Sequence, residues 1–520
     1  MIRKSAILLI VLSILGLVSH PMGGALPTLR WFFECGESFG EIGSVAWADI
    51  IGYGSMGIAL VLGILLLASG KKDIEWKPMT LRKFQRFKSL RRGYVSFIIL
   101  CVLVLLAMLD QTLVGKRPLI LKYGDTWYFP AFTQKQYQGK AFGDNKEGEA
   151  NYRELKKTWA DTNSDNWMLM PIIPWDPVLD SQKLVRVDLE QRDDGLFYLG
   201  SARKPYSGKA YTYYKEKPNQ VHSQITYRKG KQSLRTEGYL IDGRKAVKQI
   251  WKDGEMKDEH IYEEADIDAY RNASITKLTK TLYPALPPDV GNAHYVGTNT
   301  QGWDLVATLF GGFQVVLKAA ILYLTATYVI GLTIGCLMGY FGGKFDMITQ
   351  RFVEIMANIP FLFVVMIINN RLEPEHRTIA VIVGILCLFS WIGLTYYMRT
   401  ATYREKARDY VAASKLLGAS APRIIFMHIL PNAISTIVTL IPFSFAGVAT
   451  ALTALDFIGF GLPESYPSWG RTLGDGVSNL DKPWIVLSVF ACMVTILLLI
   501  TFIGEAVREA FDPKKFTFYK

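Results

Sequence analysis

Long apolar segments alternate with polar stretches along the chain, a pattern that is typical of a membrane protein. A helix needs about 20 predominantly apolar residues to cross the hydrocarbon core of a bilayer. Such a segment must be helical because lipid offers its backbone no hydrogen-bond partners. The pattern predicts an all-α polytopic membrane protein with about eight transmembrane helices, roughly at residues 5–20, 50–69, 94–112, 313–338, 349–369, 378–398, 433–458 and 483–504.

The first apolar segment allows two interpretations. Its apolar run follows Arg3 and Lys4, and a basic start before a short apolar run is also the pattern of a secretory signal peptide. No clear small-residue cleavage site follows the run. We therefore expect a retained helix, and with either interpretation residues 21–49 emerge outside.

Basic residues between the apolar segments predict the orientation. Lys and Arg concentrate in residues 71–93, in residues 399–423 and in the C-terminal tail, whereas residues 21–49 contain only Arg30. By the positive-inside rule the three basic stretches are cytoplasmic. Eight alternating spans then place both termini in the cytoplasm, unless the first helix is cleaved, and residues 113–300 outside.

The long segment 113–300 is polar and contains a β-rich insert at about 186–262. Turn signals at Lys229-Gly230, Asp242-Gly243 and Asp253-Gly254 separate strand-like runs. Asp-Gly favours a two-residue hairpin turn because both positions accept positive φ. We expect an extracytoplasmic domain whose β-rich insert is either a structural module or a binding face for a protein or peptide.

The charge distribution argues against nucleic-acid binding, and the known catalytic and metal-binding motifs are not found in the sequence. The formal net charge of +12 is explained by topology better than by nucleic-acid binding, since the basic residues lie beside apolar segments. Gly342-Gly343-Lys344 is followed by Phe345 rather than the Ser or Thr of a Walker A motif. The histidines are scattered and the cysteines form no framework. We therefore expect no catalytic residues, no metal and no cofactor, so that energy for any transport comes from a partner.

The most informative polar stretch is residues 403–431. Residues 403–417 are good helix formers, and Gly418 is placed to end that helix as a left-handed cap. A second short helix is predicted from Pro422, because proline fits a first helical turn. Pro431 is expected to break the chain before the next membrane helix.

This stretch resembles the EAA loop in permease subunits of ATP-binding cassette (ABC) importers, whose short coupling helices dock on an ATPase subunit. It departs from the family pattern at Ala412, where the family has Glu, and at Ser414, where the family has a second Ala. The resemblance implies docking roles for Ala412, Ala413, Ser414, Gly418, Arg423, His428 and Pro431.

Other stretches resemble the dipeptide and oligopeptide group of these permeases. Residues 297–304 are similar to its G-T-D-x-x-G-R-D signature, with Asn299 in place of Asp and Trp303 in place of Arg. Residues 455–463 and 467–470 resemble its loop between the last two helices. Three stretches look most like the second permease of microcin C and oligopeptide importers: residues 91–97, 123–130 and 504–516.

The resemblance implies a type I ABC importer permease fold in the bacterial inner membrane, and a non-catalytic permease subunit for oligopeptides or peptide-like compounds. The implied partners are a second permease subunit, two ATPase subunits, an extracytoplasmic substrate-binding protein and membrane lipid. It covers roughly residues 80–135 and 290–516, but neither the first two helices nor the insert. The expected organisation is an N-terminal extension, a first core helix, the extracytoplasmic domain, a five-helix core with its coupling loop at about 400–431, and a tail, at residues 1–93, 94–112, 113–300, 301–505 and 506–520.

A membrane-anchored binding or signalling protein, acting through its β-rich domain, is the alternative. An anchor has no need of an EAA-like loop, which favours the permease.

Three polar residues within apolar segments are candidates for the translocation path. A charge inside a span costs about 2.5–3.5 kcal/mol and usually faces a bundle interior or water. Glu354 and Asn358 lie one turn apart before Pro360, and Asp456 lies near the outer end of the seventh segment. Each is alternatively a buried hydrogen-bonding residue at a helix contact, and Asp456 alternatively an interfacial cap.

Overall fold

Long helices flank a β-rich middle part of the chain. The structure, a computed structural model, describes residues 2–26, 29–33, 41–42, 45–68, 78–143, 148–162, 165–178, 180, 185–199, 205–217, 220–264, 267–282, 285–373 and 376–511. Several positions used in the sequence predictions lie outside the described residues: Met1, Cys35, residues 71–77 and residues 512–520.

The helices and strands follow each other in three blocks, helical, mixed and helical. The helices are α1 (Ile2–Ser19), α2 (Trp47–Ala68), α3 (Pro78–Ser89), α4 (Arg91–Met108), α5 (Asp110–Leu113), α6 (Tyr152–Asp161), α7 (Ile267–Arg271), α8 (Leu305–Phe341), α9 (Gly343–Asn358), α10 (Phe361–Arg371), α11 (Ile379–Lys406), α12 (Asp409–Leu416), α13 (Ala421–Ile424), α14 (Leu430–Phe457), α15 (Trp469–Ser478) and α16 (Pro483–Phe511). The strands are β1 (Glu41–Ile42), β2 (Val45–Ala46), β3 (Ile120–Tyr123), β4 (Thr126–Tyr128), β5 (Trp167–Leu169), β6 (Val185–Gln191), β7 (Phe197–Leu199), β8 (Gly208–Tyr213), β9 (Val221–Arg228), β10 (Lys231–Gln232), β11 (Leu234–Tyr239), β12 (Lys245–Lys252), β13 (Glu255–Ile261) and β14 (Thr279–Leu282).

Each predicted apolar segment coincides with helix in the described residues, but not all eight are straight spans. Six helices are long and apolar enough to cross a membrane, namely α2, α4, α8, α11, α14 and α16. The apolar part of α1, Ala6–Ser19, is shorter than these. The protein is therefore polytopic with six spanning helices in the described residues, or seven when the pair α9 and α10 counts as one.

The predicted single span 349–369 is two helices, bent by 72°. The bend lies at Ile359, which has extended backbone angles of φ −72° and ψ 126°. Pro360 explains this, because proline has no N–H to donate and disfavours helical angles in the residue before it. The chain thus breaks its helix one turn after Glu354.

The centre of the bundle is a close contact between α8 and α11. Gly331, Gly335 and Gly339 recur every four residues and so lie on one face of α8. A Cβ on Gly335 would lie 2.6 Å from the Cβ of Met398 and 2.7 Å from the carbonyl oxygen of Thr395. Small residues at this spacing let two membrane helices approach until their backbones nearly touch.

The first core helix packs against the last one. A Cβ on Gly93 of α4 would lie 2.1 Å from the Cβ of Ala506 of α16. Just before α4, Arg86 Nη2 lies 3.3 Å from Glu509 Oε1, and Phe87 packs into an apolar cluster with Ala506 and Ala510. Residues distant in sequence thereby close the bundle.

The β-rich part is a nine-stranded antiparallel sheet with the order β13-β12-β11-β9-β8-β14-β6-β7, in which β10 pairs with β9. It extends over residues 185–282 and is wider than the predicted insert 186–262. The reason is β14, which returns after α7 to pair with β6 and β8. Its own apolar cluster is centred on Leu189, Ala210 and Tyr227.

Two of the three predicted turns have the expected geometry. Lys229-Gly230 and Asp253-Gly254 have positive φ at both residues, as a tight hairpin turn of this class requires. In Asp242-Gly243 only the glycine has positive φ. There the Asp242 carboxylate accepts a hydrogen bond from the Arg244 N–H at 2.9 Å, and the loop is longer.

A second, smaller sheet has the order β4-β3-β5. Its inner face packs on α6 through an apolar cluster that includes Leu121, Phe142, Trp159 and Met168. This sheet lies in the segment that leads from α4 to the large sheet.

Candidate functional site

The predicted coupling loop is two short helices joined by a left-handed glycine. α11 ends at Lys406 and α12 begins at Asp409, so the predicted helix 403–417 is divided by a turn. Gly418 follows with φ +76°, its N–H donates to Lys415 O at 3.0 Å, and the Ala419 N–H donates to Ser414 O at 3.0 Å. Gly418 is therefore the helix cap that the sequence predicted.

The second half of the loop differs from the prediction at Pro431. α13 has Pro422 in its first turn, as expected, but it continues through a π-helical turn at Ile425–Ile429 into α14. Leu430 donates its N–H to Ile425 O, and Pro431 has no N–H to donate. The wider π turn accommodates a residue without an N–H donor. The helix therefore continues through Pro431, and the predicted break is wrong.

The loop has one buried side and one exposed side. Val411, Ile424 and Ile429 form an apolar cluster. Ala412, Ala413, Arg423 and Pro431 are exposed, and Ser414 and His428 are half-buried. Leu416 and Leu417 are 90% and 87% exposed. Sequence reasoning missed these two leucines, although an adjacent apolar pair in a polar loop was a visible signal.

The buried carboxylates Glu405 and Asp346 fix the loop to the bundle, whereas the sequence analysis had considered only the basic residues of this stretch, as topology signals. Glu405 is buried at the end of α11, accepts a hydrogen bond from the Tyr410 hydroxyl at 2.9 Å and lies 3.1 Å from Arg408 Nε. Nearby, the two oxygens of Asp346 accept hydrogen bonds from Arg399 at 2.5 and 2.6 Å. Such bidentate pairs are directional, so the start of α9 and the end of α11 hold one orientation.

The candidates Glu354 and Asn358 lie together on α9, beside the bend. Glu354 is half-buried and accepts hydrogen bonds from Arg351 at 2.6 Å and from Gln350 at 3.1 Å. Asn358 is exposed and donates to the Glu354 backbone carbonyl at 2.7 Å. Asn358 therefore provides a hydrogen-bond donor for a carbonyl near the end of α9. The pair also presents polar groups on the surface of the single chain.

Asp456 is not brought together with that pair. It is buried at the end of α14, where its carboxylate accepts hydrogen bonds from Ser468 Oγ at 2.5 Å and from the Leu462 N–H at 2.7 Å. Gly461 and Gly470 allow this, since a Cβ at Gly461 would lie 1.8 Å from the carboxylate. The contacts are those of a buried hydrogen-bonding residue, the alternative that the sequence left open.

The signature at residues 297–304 builds the outer end of α8. Asn299 Oδ1 accepts hydrogen bonds from the N–H groups of Gln301 and Trp303 at 3.0 and 2.9 Å. This turn needs only an acceptor, which explains how Asn replaces Asp there. Asp304 caps α8 by accepting from the Ala307 N–H at 2.8 Å and contacts His294 Nδ1 at 2.8 Å.

Comparison with known proteins gives one family and several relatives. Residues 331–517 match the family described as "Binding-protein-dependent transport system inner membrane component". The chain is 29% identical over 463 residues to the peptidoglycan transport system permease protein YejE of Agrobacterium fabrum, covering 88% of this chain and 99% of the relative. It is 28% identical to the inner membrane ABC transporter permease protein YejE of Escherichia coli, covering 84% and 98%. It is 34% identical over 229 residues to the oligopeptide transport system permease protein OppC of Lactococcus lactis, covering 44% and 77%.

Proposed function

Since this chain belongs to the permeases of the binding-protein-dependent transport systems, as a transport subunit of an ABC importer, we propose that its coupling loop transmits ATP-driven closure of a partner to the translocation path. The observation that carries the proposal is the exposed side of residues 403–431. Two nearly fully exposed leucines precede a left-handed glycine, and ion pairs of the buried carboxylates Glu405 and Asp346 hold the other side. A rigid base with an apolar tip is suited to insertion into a groove.

The proposed partners are those that membership of the family supports. Two different permease subunits form the pathway, two ATPase subunits bind their loops, and an extracytoplasmic binding protein delivers substrate. This chain does not hydrolyse ATP and needs no metal or cofactor of its own. Closure of the ATPases moves α12 and α13, and rigid contacts such as Asp346–Arg399 pass that movement to the bundle.

The translocation path passes the bend between α9 and α10. A broken helix leaves backbone groups without partners, and within a membrane these are tolerated only where they face protein or water. Glu354 and Asn358 supply polar groups beside that bend. Asp456 supports the outer end of the path as a loop anchor.

The orientation follows from the basic residues. Residues 71–93 and 399–431 lie in the cytoplasm with both termini, and residues 113–300 lie outside. If α1 is a cleaved signal peptide, the first terminus is outside. The large sheet is then an accessory module on the side where substrate arrives.

The substrates are oligopeptides or peptide-like compounds. Two of the relatives named above are described as permeases for peptidoglycan and for oligopeptides. Peptide fragments of the cell wall fit both descriptions. Purification of the complete complex, followed by mass spectrometry of the ligand that its binding protein carries, tests this class. Recovery of a sugar or metal chelate without peptide bonds contradicts it.

Loop variants test the coupling role. Leu416→Asp combined with Leu417→Asp places charge on the exposed tip without touching the buried cluster. We expect loss of ATPase subunits from the purified complex and retention of the partner permease. The matched control is Leu480→Asp, an equally simple change at a leucine that is 65% exposed outside the loop. Normal ATPase recovery with the double variant contradicts the docking role.

A further inference from the structure

The small sheet β4-β3-β5 has an apolar outer face that no other part of the described chain covers. Trp127 and Trp167 lie on the two outer strands, both directly opposite Lys122 of the central strand. Their rings meet edge to face at 5.8 Å, and they are 53% and 45% exposed. A contiguous exposed patch of this kind usually marks an interaction site.

The patch continues beyond the two tryptophans. Leu169 lies on the same face of β5, two residues after Trp167, because side chains alternate along a strand. Phe129 and Ile172 add exposed apolar surface at the strand ends. The opposite face of the sheet carries the buried Leu121 and Met168. The sheet is thus apolar on both faces, and its exposed outer face carries Lys122 at its centre.

The outer face lies beside the outer end of the membrane bundle. Ile173 exchanges hydrogen bonds of 3.0 Å with Leu113 and Gly115, directly after α4 and α5. It also packs in a cluster with Val114, Trp175 and the first turns of α8. Ile172, which is 67% exposed, therefore sits at the level where α8 begins.

The length of α8 indicates where its first turns lie relative to the membrane. A helix of 37 residues is about 55 Å long, from a rise of 1.5 Å per residue, whereas the hydrocarbon core is about 30 Å thick. α8 is therefore longer than the core is thick, and its first turns, which cluster with Ile173 of the polar segment, form the end nearest the outer headgroup layer. Trp favours this layer, where its ring sits among the headgroups, and a lysine there reaches water.

We propose that the outer face of the β4-β3-β5 sheet rests on the lipid headgroup layer of the outer leaflet. The two tryptophans, Leu169 and Ile172 lie against the lipid, and Lys122 reaches the phosphates. The sheet then fixes the base of the extracytoplasmic domain at a constant height above the bundle. This role depends on membrane embedding and not on the peptide substrate, so it stands or falls separately from the transport proposal.

Depth-dependent quenching tests the contact in the complete complex in lipid nanodiscs. Leu169→Cys is introduced into a cysteine-free background and labelled with an environment-sensitive fluorophore. Lipids that carry a nitroxide on the headgroup quench a probe in the headgroup layer, and aqueous iodide quenches a probe in water. The matched control is Glu255→Cys, which is exposed on the edge strand of the large sheet.

We expect headgroup nitroxide to quench the Leu169 probe at least severalfold more than the Glu255 probe, and iodide to show the reverse order. Trp127→Ser combined with Trp167→Ser should reduce the lipid quenching of the Leu169 probe. Quenching of the Leu169 probe by iodide alone would overturn the proposal. Protection of that probe from both quenchers would also overturn it and would indicate a protein partner. So would protection that begins only when the binding protein is added.

Discussion

At the scale of single residues, the coupling loop depends on backbone conformation more than on packing. Gly418 has φ +76°, and a Cβ added there would meet open space in this chain. A side chain there would therefore not displace the second coupling helix by direct contact. The cost of a substitution lies in the left-handed conformation itself, which strongly disfavours β-branched residues.

Replacement of Gly418 by valine should uncouple transport while membrane insertion is retained. A strained backbone at one residue costs about 1–3 kcal/mol, which disfavours this cap by about 5-fold to 150-fold. Substrate-stimulated ATP hydrolysis by the reconstituted complex measures the effect. Gly418→Asn is the matched control, since Asn tolerates this region and should retain most coupling. Equal coupling in the valine variant and the wild type would show that the cap is not needed.

At the scale of helices and strands, glycine spacing and buried polar groups decide the packing. The face of Gly331, Gly335 and Gly339 was readable in the sequence as a small-residue repeat, but its partner helix was not. For the π turn at Ile425–Ile429 and the 72° bend at Pro360, the sequence indicated the position but not the geometry. Proline predicts that a helix is disturbed, whereas neighbouring contacts decide whether it breaks, bends or widens.

Replacement of Gly335 by valine should separate α8 from α11. The added Cβ would lie 2.6 Å from the Cβ of Met398 and 2.7 Å from the backbone oxygen of Thr395. Neither atom can move away unless the backbone of α11 moves with it. Overpacking of this kind costs about 1–3 kcal/mol or more. A lower midpoint of thermal unfolding in detergent is the expected result. Gly54→Val in α2 is the control, because nothing lies within 4 Å of its Cβ; similar midpoints in the two variants would contradict this helix contact.

The stability of the large sheet should fall at acidic pH because of His222. Its Nε2–H donates a hydrogen bond to the Tyr270 carbonyl at 3.1 Å, and its Nδ1 accepts one from the Ser223 hydroxyl at 2.7 Å. The ring also stacks on the Tyr270 ring at 4.3 Å. Burial lowers the pKa of His222 below its usual range. The unfolded state, with a pKa of about 6.5, therefore binds the proton first, and stability that is complete above that pH is lost as pH falls below it.

Hydrogen exchange of β9 between pH 5 and 8, corrected for intrinsic rates, measures this loss. One proton gives a slope of at most about 1.4 kcal/mol per pH unit. His222→Gln should flatten the pH dependence, although it also removes native contacts. His260→Gln, at an exposed histidine of the same sheet, should leave the slope unchanged. A slope that persists in His222→Gln assigns the effect to other groups.

At the scale of the whole molecule, the transport core and the large sheet have separate apolar clusters. The sequence predicted this separation, because spans, turns and coupling loop each have a local signature. It missed the true limits of the sheet, since β14 pairs with β6 across almost a hundred residues and no local pattern records such a partner. It likewise listed Asp456 with Glu354, whereas tertiary contacts gave the two carboxylates different surroundings.

Removal of the complete sheet should leave assembly intact. Replacing residues 181–284 by a flexible linker deletes every strand from β6 to β14 and keeps the cap of α8. We expect normal recovery of partner permease and ATPase subunits, with uptake that recovers when more binding protein is supplied. Removal of 200–262 alone is the informative comparison, because it leaves β6 and β14 without β8 and should lower the yield. Loss of assembly in the complete deletion would make the sheet structural.

Accessible cysteines test the orientation of the whole chain. Glu255→Cys should react with a membrane-impermeant reagent in intact cells, whereas Lys88→Cys should react only after lysis. Both positions are exposed, so the reagent can reach them wherever it is present. Equal labelling of both variants in intact cells would overturn the predicted topology.

The contact between α4 and α16 sets a waiting time during synthesis. Arg86 and Glu509 are 423 residues apart, and ribosomes add about 5–20 residues each second. The first core helix therefore spends roughly 20 to 85 s in the membrane before its partner exists. During that interval Gly93 has no Ala506 to pack against. A truncated messenger RNA that lacks the codons for α16 yields a chain in which α4 cannot form this contact. We expect such a chain to be degraded.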